Sequence, residues 1–378
     1  MIAYGICYLI KIFHNYGSNG AVVVDIAKVS KGSMGDDALI LGCINALKDD
    51  YNKIYLLEYH DNIGRKLGDE IEYCTIKYMR IPIKTFLLFI KTEHIVIPLA
   101  DQADGKYGNG IVIWNYLLGY YANKLNNSVV YCSFSYSKDA TKCSKVILKK
   151  MDKFATIRTR ENEASERLSH LVGISSLYYP DIAFYMPQEH SQLTKKITDK
   201  FPDNKKIIGI NLNILPISDI HAYISTWAKV LEYLESQNYF LVFVAHDIRK
   251  PADDRIINQK TIIMSKIINY YVVDIDSSPE MKEIISHFDF MISGRMHAAI
   301  AALSTGVPVM LLDYNDKGRG LLNYFYEKYE GVISNGKVYD DRYIIEILSN
   351  LLQRIDALKY EVNQKKDKIV DLAKYQVK

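Results

Sequence analysis

Short apolar runs alternate with longer amphipathic segments along most of the chain. Compact apolar runs between polar residues predict buried strands, and apolar side chains three or four positions apart predict helices. The predicted strands cover Val22–Ile26, Lys53–Glu58, His94–Leu99, Val129–Phe134, Phe154–Glu161, Ile207–Leu212, Phe240–Val244, Phe288–Ile292 and Val309–Leu312. The predicted helices cover Ala38–Leu47, Asn115–Leu125, Asn162–Leu171, Ala222–Gln237, Met281–His287 and a stretch from Met296. This alternation predicts an α/β protein with parallel sheets covered by helices on both faces.

The length of the chain and one polar segment predict how it divides. At 378 residues the chain is too long for one ordinary core, so we expect two domains. The polar segment 188–205 suits a linker. We therefore predict a Rossmann-like domain over 1–187, a second over 188–340 and a C-terminal helix over 341–378.

Composition narrows the class of protein. A net charge of +3 is too small to indicate a nucleic-acid partner, and no DNA-binding motif is present. The five cysteines are an odd number and widely spread, which suggests reduced thiols rather than disulfides or a metal site. No apolar stretch is long enough to span a bilayer. We expect a cytoplasmic protein that needs no metal.

The most informative stretch runs from the strand ending at Ser293 into an Ala-rich helix. It places Arg295 and His297 where a strand passes into a helix, and free N–H groups and the helix dipole favour an anion there. The loop after the next strand carries Lys317 and Arg319. Loops after parallel strands lie at the same edge of a sheet. This pattern predicts a binding site for a small, highly charged anion.

Other strand ends carry further candidates, each with a plainer explanation. Gly35 could bring backbone close to a ligand, and Asp36 beside it could simply cap the helix. His246 follows a strand, where a histidine is more often structural. Arg158 and Arg160 would share one face if their strand continued through both. They could face an anion or be surface charges.

Together these residues resemble the polysaccharide pyruvyltransferase family. The resemblance rests on S-x-R-M-H from Ser293 to His297, G-V-P-V from Gly306 and Y-x-x-K ending at Lys317. Weaker matches are Gly35-Asp36, Arg160-Glu161, the P-D-x-A-F run from Pro180, and His246, and Ser33 stands where the family has Asn. The loop with Asp101 and Asp104 resembles a family turn, so either carboxylate could bind an acceptor hydroxyl or merely cap the turn.

The resemblance implies a fold, a reaction and roles for residues. The fold would be two Rossmann-like domains in a GT-B-like arrangement, with the active-site cleft between them. The reaction would move the pyruvyl group of phosphoenolpyruvate, a co-substrate, onto two hydroxyls of a nucleotide- or lipid-linked sugar in bacterial glycan biosynthesis. A cyclic ketal would form and phosphate would leave, without a cofactor. His297 would be the general acid, Arg295 would act with it, and Ser293 would contact substrate. The first domain would then carry the acceptor and the second the phosphoenolpyruvate.

Two other classes of function and one kind of partner stay open. A GT-B glycosyltransferase or a sugar-nucleotide-modifying enzyme would use a similar basic site. A non-catalytic anion- or glycan-binding protein is the second alternative. At most peripheral contact with the inner face of the cell membrane is expected, through the C-terminal lysines; these could equally be a solvated helix face. They are Lys365, Lys366, Lys368, Lys374 and Lys378.

Overall fold

The computed structural model describes residues 19–26, 31–63, 67, 71–213, 217–313, 318–326 and 331–378. Contacts divide the chain into two compact units. The first comprises 1–31, 39–186 and 371–378, and the second comprises 32–38 and 187–370. The short segment 32–38 thus clusters with the second unit although the chain on either side of it belongs to the first.

The first unit is built on a parallel sheet. Its strands are β1 (Gly20–Val24), β2 (Lys53–Tyr59), β3 (Glu72–Ile76), β4 (His94–Ala100), β5 (Ser128–Phe134), β6 (Thr156–Thr159) and β7 (Leu177–Tyr178). They lie in the order β3-β2-β1-β4-β5-β6-β7, and every neighbouring pair is parallel. The central strands β1 and β4 are buried along their whole length. This is the doubly wound order of a Rossmann sheet.

Helices follow most of these strands. They are α1 (Met34–Leu47), α2 (Ile83–Ile90), α3 (Asn109–Lys124), α4 (Lys142–Met151) and α5 (Asn162–Val172). Thr141 caps α4 by accepting the backbone N–H of Ser144, and Gly173 ends α5 in the left-handed conformation. These are the residue types expected at the two ends of a helix.

The second unit repeats the plan of the first. Its strands are β8 (Ile207–Asn211), β9 (Phe240–Phe243), β10 (Tyr270–Val272), β11 (Phe290–Ser293), β12 (Val309–Asp313) and β13 (Val332–Ser334). The order is β10-β9-β8-β11-β12-β13, again with parallel neighbours. Its helices are α6 (Gln192–Thr198), α7 (Ile220–Ser236), α8 (Asp254–Ser265), α9 (Ser278–Ile285), α10 (Met296–Ser304), α11 (Gly318–Leu322), α12 (Asp341–Gln353) and α13 (Ile355–Ala373).

The structure refines several sequence predictions. The region predicted as a polar linker contains α6, and the predicted C-terminal helix is two helices, α12 and α13. The sequence patterns did not predict β3, α4, α8 or β10. The last residues return to the first unit, where the Gln376 side chain donates to the carbonyls of Thr159 and Tyr179. No helix within the described ranges combines the length and the apolar character needed to cross a bilayer.

Candidate functional site

The site begins at the junction between β11 and α10. The buried hydroxyl of Ser293 donates to the carbonyl of Arg295 at 2.7 Å and accepts its backbone N–H at 3.3 Å, which fixes the turn. Arg295 has extended backbone at the N-cap of α10. His297 therefore lies in the first turn, where the helix presents its positive dipole end. Ser293 shapes this turn through the contacts of its hydroxyl with the backbone of Arg295.

The guanidinium of Arg295 is held by carboxylates of the same unit. Its Nε and Nη2 donate to Asp254 Oδ1 at 3.1 and 2.8 Å, and Nη2 also donates to the Ala252 carbonyl at 2.9 Å. Nη1 lies 3.4 Å from Asp247 Oδ2. The side chain is 11% exposed. Its two-pronged contact is thus made with Asp254, and this contact orients the whole fork.

Asp254 organises the ends of several strands. This fully buried carboxylate accepts the Asn211 side-chain amide and the backbone N–H groups of His246 and Asp247, each at 3.0 Å. Burial raises its pKa, and the adjacent Arg295 with these hydrogen bonds opposes that rise. A carboxylate with so many donors is well solvated by the protein. Asp254 therefore ties the loop after β9 to Arg295.

The segment 32–38 packs onto this cluster. The backbone N–H of Met34 donates to the carbonyl of His246 at 3.1 Å, and the Ser278 hydroxyl donates to the carbonyl of Met34 at 3.1 Å. A Cβ on Gly35 would lie 2.3 Å from Nδ1 and 2.9 Å from Cγ of His297. Only glycine allows the backbone this close to the imidazole. Gly35 and His297, both predicted from sequence, are thus brought into contact.

The start of α1 differs from the prediction at its cap. The helix begins at Met34, and the Ser33 hydroxyl accepts the backbone N–H of Asp36 at 3.3 Å. Ser33, not Asp36, therefore occupies the N-cap position, where serine and asparagine serve equally well. Asp36 instead faces Arg249, with Oδ2 at 3.3 Å from Nη1. The serine that replaces the family's asparagine preserves the cap.

Arg249 is a second guanidinium of the site. Its Nε and Nη2 donate to the Asp247 carboxylate at 2.9 and 2.7 Å. Arg249 thus bridges Asp247 to Asp36, in the same way that Arg295 bridges Asp247 to Asp254. It is 34% exposed, so its fork is more open to solvent than that of Arg295.

His246 lies inside this cluster and is only 3% exposed. Burial, with His297 and Arg295 nearby, lowers its pKa from 6.5 to about 3. The imidazole is therefore neutral near neutral pH and cannot deliver a proton as a cationic acid. This placement favours a supporting role for His246, and its predicted contact with substrate stays a prediction.

The balance of charge in the described cluster is not cationic. Asp36, Asp247 and Asp254 surround two guanidinium groups, which leaves one more negative than positive charge when the histidines are neutral. Lys317 lies outside the described residues, and so does the side chain of Arg319. An anionic ligand here would therefore depend strongly on those two predicted cations.

A small pocket opens at the same edge of the second sheet. Its lining contains two amide side chains, a tyrosine and apolar groups: Asn213, Ile217, Tyr223, Gly294, Leu312, Asn335 and Val338. The Asn213 amide donates to the carbonyl of Gly294 at 3.1 Å, and a Cβ on Gly294 would lie 2.8 Å from that of Asn213. Gly294 directly precedes Arg295, so an uncharged pocket adjoins the charged cluster.

The candidate residues of the first unit surround a different arginine. Arg160 is 4% exposed and lies 2.8 Å from Asp101, 3.4 Å from Glu161 and 3.4 Å from Asp181. Ser135 also donates to Glu161. A guanidinium compensated by three carboxylates has little charge left for a substrate. The placement of Arg160 and Asp101 favours a structural role, and anion or acceptor binding by them stays a prediction.

Two other candidates of this unit also have local contacts. β6 ends before Arg160, so the expected shared face with Arg158 is not found. The Arg158 guanidinium lies over the Tyr179 ring at 5.4 Å. The buried carboxylate of Asp104 accepts the backbone N–H of Lys106 at 3.0 Å, as expected for the turn-capping alternative.

Several residues of the cluster were missed by the sequence analysis. Asp247, Arg249 and Asp254 lie in a stretch for which no helix was predicted. The signal was an acidic pair, Asp253-Asp254, opening a helix, since carboxylates favour helix N-termini. That signal indicates a cap, and nothing in it points to Arg295. Within the described part of the chain, no three His, Cys, Asp or Glu side chains converge as a metal-binding group.

Fold and site together define a double-Rossmann α/β protein that carries paired arginines, carboxylates and a helix-terminal histidine at the edge of its second sheet. A model of the polysaccharide pyruvyl transferase family matches residues 34–316. The chain belongs to this family and is a transferase. No curated protein matches its sequence significantly.

Solved structures similar to the chain include UDP-GlcNAc 2-epimerases and a glycosyltransferase. UDP-GlcNAc 2-epimerase from Neisseria meningitidis, bound to UDP-GlcNAc, shares 12% identity at a TM-score of 0.63, covering 94% of this chain and 98% of that one. A glycosyltransferase from Rickettsia africae shares 14% at 0.59, covering 95% and 97%. The epimerase from Methanocaldococcus jannaschii shares 11% at 0.59, covering 87% and 91%. At these identities the likeness shows the fold, and the predicted GT-B-type α/β class is confirmed.

Proposed function

We propose that this transferase moves the pyruvyl group of phosphoenolpyruvate onto two hydroxyls of one sugar in glycan biosynthesis. One hydroxyl adds to the enol carbon while the methylene carbon gains a proton. The second hydroxyl then displaces phosphate, which closes a cyclic ketal. The family membership supports the class of reaction, and the site supports its acid–base step.

The observation that carries this proposal is the position of His297. Its ring packs against Gly35, a contact that a side chain at residue 35 would prevent. The first turn of α10 disfavours a charged imidazole, so a bound phosphate or carboxylate would be needed to keep it protonated. His297 would then deliver the proton to the methylene carbon, which suits a group whose ordinary pKa is near neutral.

Arg295 acts in this proposal as a positioning residue. Its fork is already engaged by Asp254 and the Ala252 carbonyl, so it holds the β11–α10 junction and adds positive charge beside His297. Binding of the two anionic groups of phosphoenolpyruvate would fall mainly to Lys317 and Arg319. The excess of carboxylates in the described cluster makes these cations necessary.

The acceptor is a sugar carried on a nucleotide or a lipid. The uncharged surface beside Gly294 includes the exposed amide of Asn335, which suits hydroxyl groups. The reaction would need no cofactor and no metal, because cationic side chains would neutralise the negative charges of phosphoenolpyruvate.

Phosphate release from phosphoenolpyruvate tests the proposal. Purified protein should release phosphate only when a suitable nucleotide- or lipid-linked sugar is present, and the sugar should gain a ketal-bound pyruvyl group. Activity should persist in excess EDTA. Lys317→Ala should raise the phosphoenolpyruvate KM, with Lys337→Ala as a control on an exposed lysine of the same unit. Transfer of a sugar from a nucleotide, or an EDTA-induced loss restored by Mg²⁺, would contradict it.

A further inference from the structure

Helix α4 of the first unit carries a concentrated basic face. Six lysines occur between residues 138 and 153, and α4 itself contains no acidic residue. We call them the α4 lysine face: Lys138, Lys142, Lys145, Lys149, Lys150 and Lys153. The whole protein has a net charge of only +3, so this face concentrates charge that the rest of the chain balances.

The lysines of this face have no partners of opposite charge within the described part of the chain. Among the residues that the structure describes, none of the six ammonium groups forms an ion pair or a hydrogen bond. The nearby carboxylate of Asp139 lies instead 3.7 Å from Lys106. The face is therefore left for a partner outside the folded unit.

Helix stability does not explain this arrangement. Lys142, Lys145 and Lys149 are three and four positions apart, and like charges at that spacing weaken a helix. Lys149 and Lys150 complement the dipole in the last turn, but Lys142 stands at the first position, where a positive charge is unfavourable. The repulsion between these lysines is unfavourable and the helix itself does not offset it. We infer that an external anion does.

Apolar and aromatic groups lie among the lysines. Val146 is on the same face and is 56% exposed. Phe154 directly follows Lys153 and packs edge-on against Tyr116 and Tyr120 of α3. Tyrosine and lysine together are typical of side chains at a membrane interface, where rings and alkyl stems meet headgroups.

We propose that the α4 lysine face and the adjoining tyrosines dock the protein on an anionic lipid bilayer. Lysine clusters on an amphipathic helix suit a diffuse layer of lipid headgroups. The set contains no arginine, the residue favoured for two-pronged contacts with individual phosphates in nucleic acids. The exposed valine at its centre suits the apolar layer of a bilayer, which a nucleic acid does not offer.

Vesicle sedimentation tests this proposal with the full chain. Wild-type protein should bind vesicles with about 30% phosphatidylglycerol, and not pure phosphatidylcholine, at low salt. Lys142→Gln, Lys145→Gln and Lys149→Gln together should lower the partition coefficient roughly 100-fold. The matched control, Lys365→Gln with Lys366→Gln and Lys368→Gln, removes equal charge from α13 and should change it less than about threefold. Salt of about 0.5 M should release the wild-type protein.

Further variants distinguish the outcomes. Arginine at the three α4 positions should retain binding, and the glutamine triple should melt no lower than wild type because repulsion is relieved. Val146→Gln should weaken vesicle binding roughly tenfold and leave binding to a short DNA duplex unchanged. The proposal fails if wild type ignores anionic vesicles, if the α13 triple loses as much as the α4 triple, or if α4-dependent binding to the duplex is tighter.

Discussion

Two arginines with little exposure stand at equivalent places in the two units, just beyond a strand end and before a helix. Arg160 follows β6 and precedes α5, and Arg295 follows β11 and precedes α10. Both grip carboxylates at 2.8 Å. They differ in what lies beside them: Arg160 has three carboxylates around it, whereas Arg295 stands two residues from His297.

This difference favours a structural role for Arg160 and, under the proposed function, a positioning role for Arg295. The Arg160 cluster is mostly buried, since Asp181 and Glu161 are buried and Asp101 is only 29% exposed. Near Arg295, the half-buried imidazole of His297 meets Gly35 and the uncharged pocket begins at Gly294. A strand-end arginine alone is therefore weak evidence for anion binding, and its neighbours decide its role.

The largest effect is expected from His297→Ala. Removing the proposed proton donor should lower kcat by at least about 100-fold, with little change in melting temperature because the side chain is half-buried at an edge. Steady-state phosphate release and thermal unfolding measure both. A variant that keeps more than about a tenth of the wild-type kcat would remove His297 from the acid role.

Gly35→Ala tests the contact that holds the imidazole. The new Cβ must displace the His297 ring, so kcat should fall in the wild-type background by roughly tenfold or more, and overpacking should cost about 1–3 kcal/mol of stability. In a His297→Ala background the two contacts under 3.0 Å disappear and only the 3.2 Å contact with the Cβ of residue 297 stays, so the stability cost should fall. Additive costs in the double variant would show that the clash lies elsewhere.

Arg160→Met should act on stability instead. It leaves three carboxylates without their cation and should cost about 3–5 kcal/mol of unfolding free energy. Chemical denaturation measures this loss. At temperatures where the variant is folded, the KM for phosphoenolpyruvate should be unchanged; a raised KM with normal stability would restore Arg160 as an anion contact.

Arg295→Lys and Arg249→Lys form a matched pair. Each replaces a two-pronged guanidinium by one ammonium, but Arg295 is more buried and serves Asp254, so its loss should cost about 1.5–3 kcal/mol. Arg249 is 34% exposed, and its replacement should cost under about 1 kcal/mol. The measurements are kcat/KM and the unfolding free energy of each variant. Equal stability losses would mean that burial does not distinguish the two guanidinium groups.

Near neutral pH, the smallest effect is a dependence of stability on pH. The folded pKa of His246 is lowered to about 3, so below pH 6.5 the unfolded chain takes up a proton that the folded chain does not. Stability is then complete above about pH 6.5 and falls by up to about 1.4 kcal/mol per pH unit as the pH drops toward 3. Unfolding at several pH values should show a shallower slope for His246→Asn; identical slopes would mean that His246 is protonated when folded.

The order of strands and helices could be predicted from sequence because apolar periodicity reports local burial. The strands that hold the site, β8, β9, β11 and β12, were predicted to within two residues at each end. Elements at the sheet edges and on the surface, such as β10 and α4, were missed because their patterns are short or largely polar. The family motif around Arg295 and His297 could also be recognised from sequence, because its residues lie close together in the chain.

Contacts between distant segments were decided by tertiary structure alone. Nothing local indicates that Gly35 meets His297, because that contact depends on the segment 32–38 packing with the second unit. Arg160 and Arg295 look alike in sequence, and only the carboxylates brought by other loops distinguish them. The sequence by itself determines side-chain chemistry and local periodicity. Burial and charge compensation depend on which strand ends the sheets bring together.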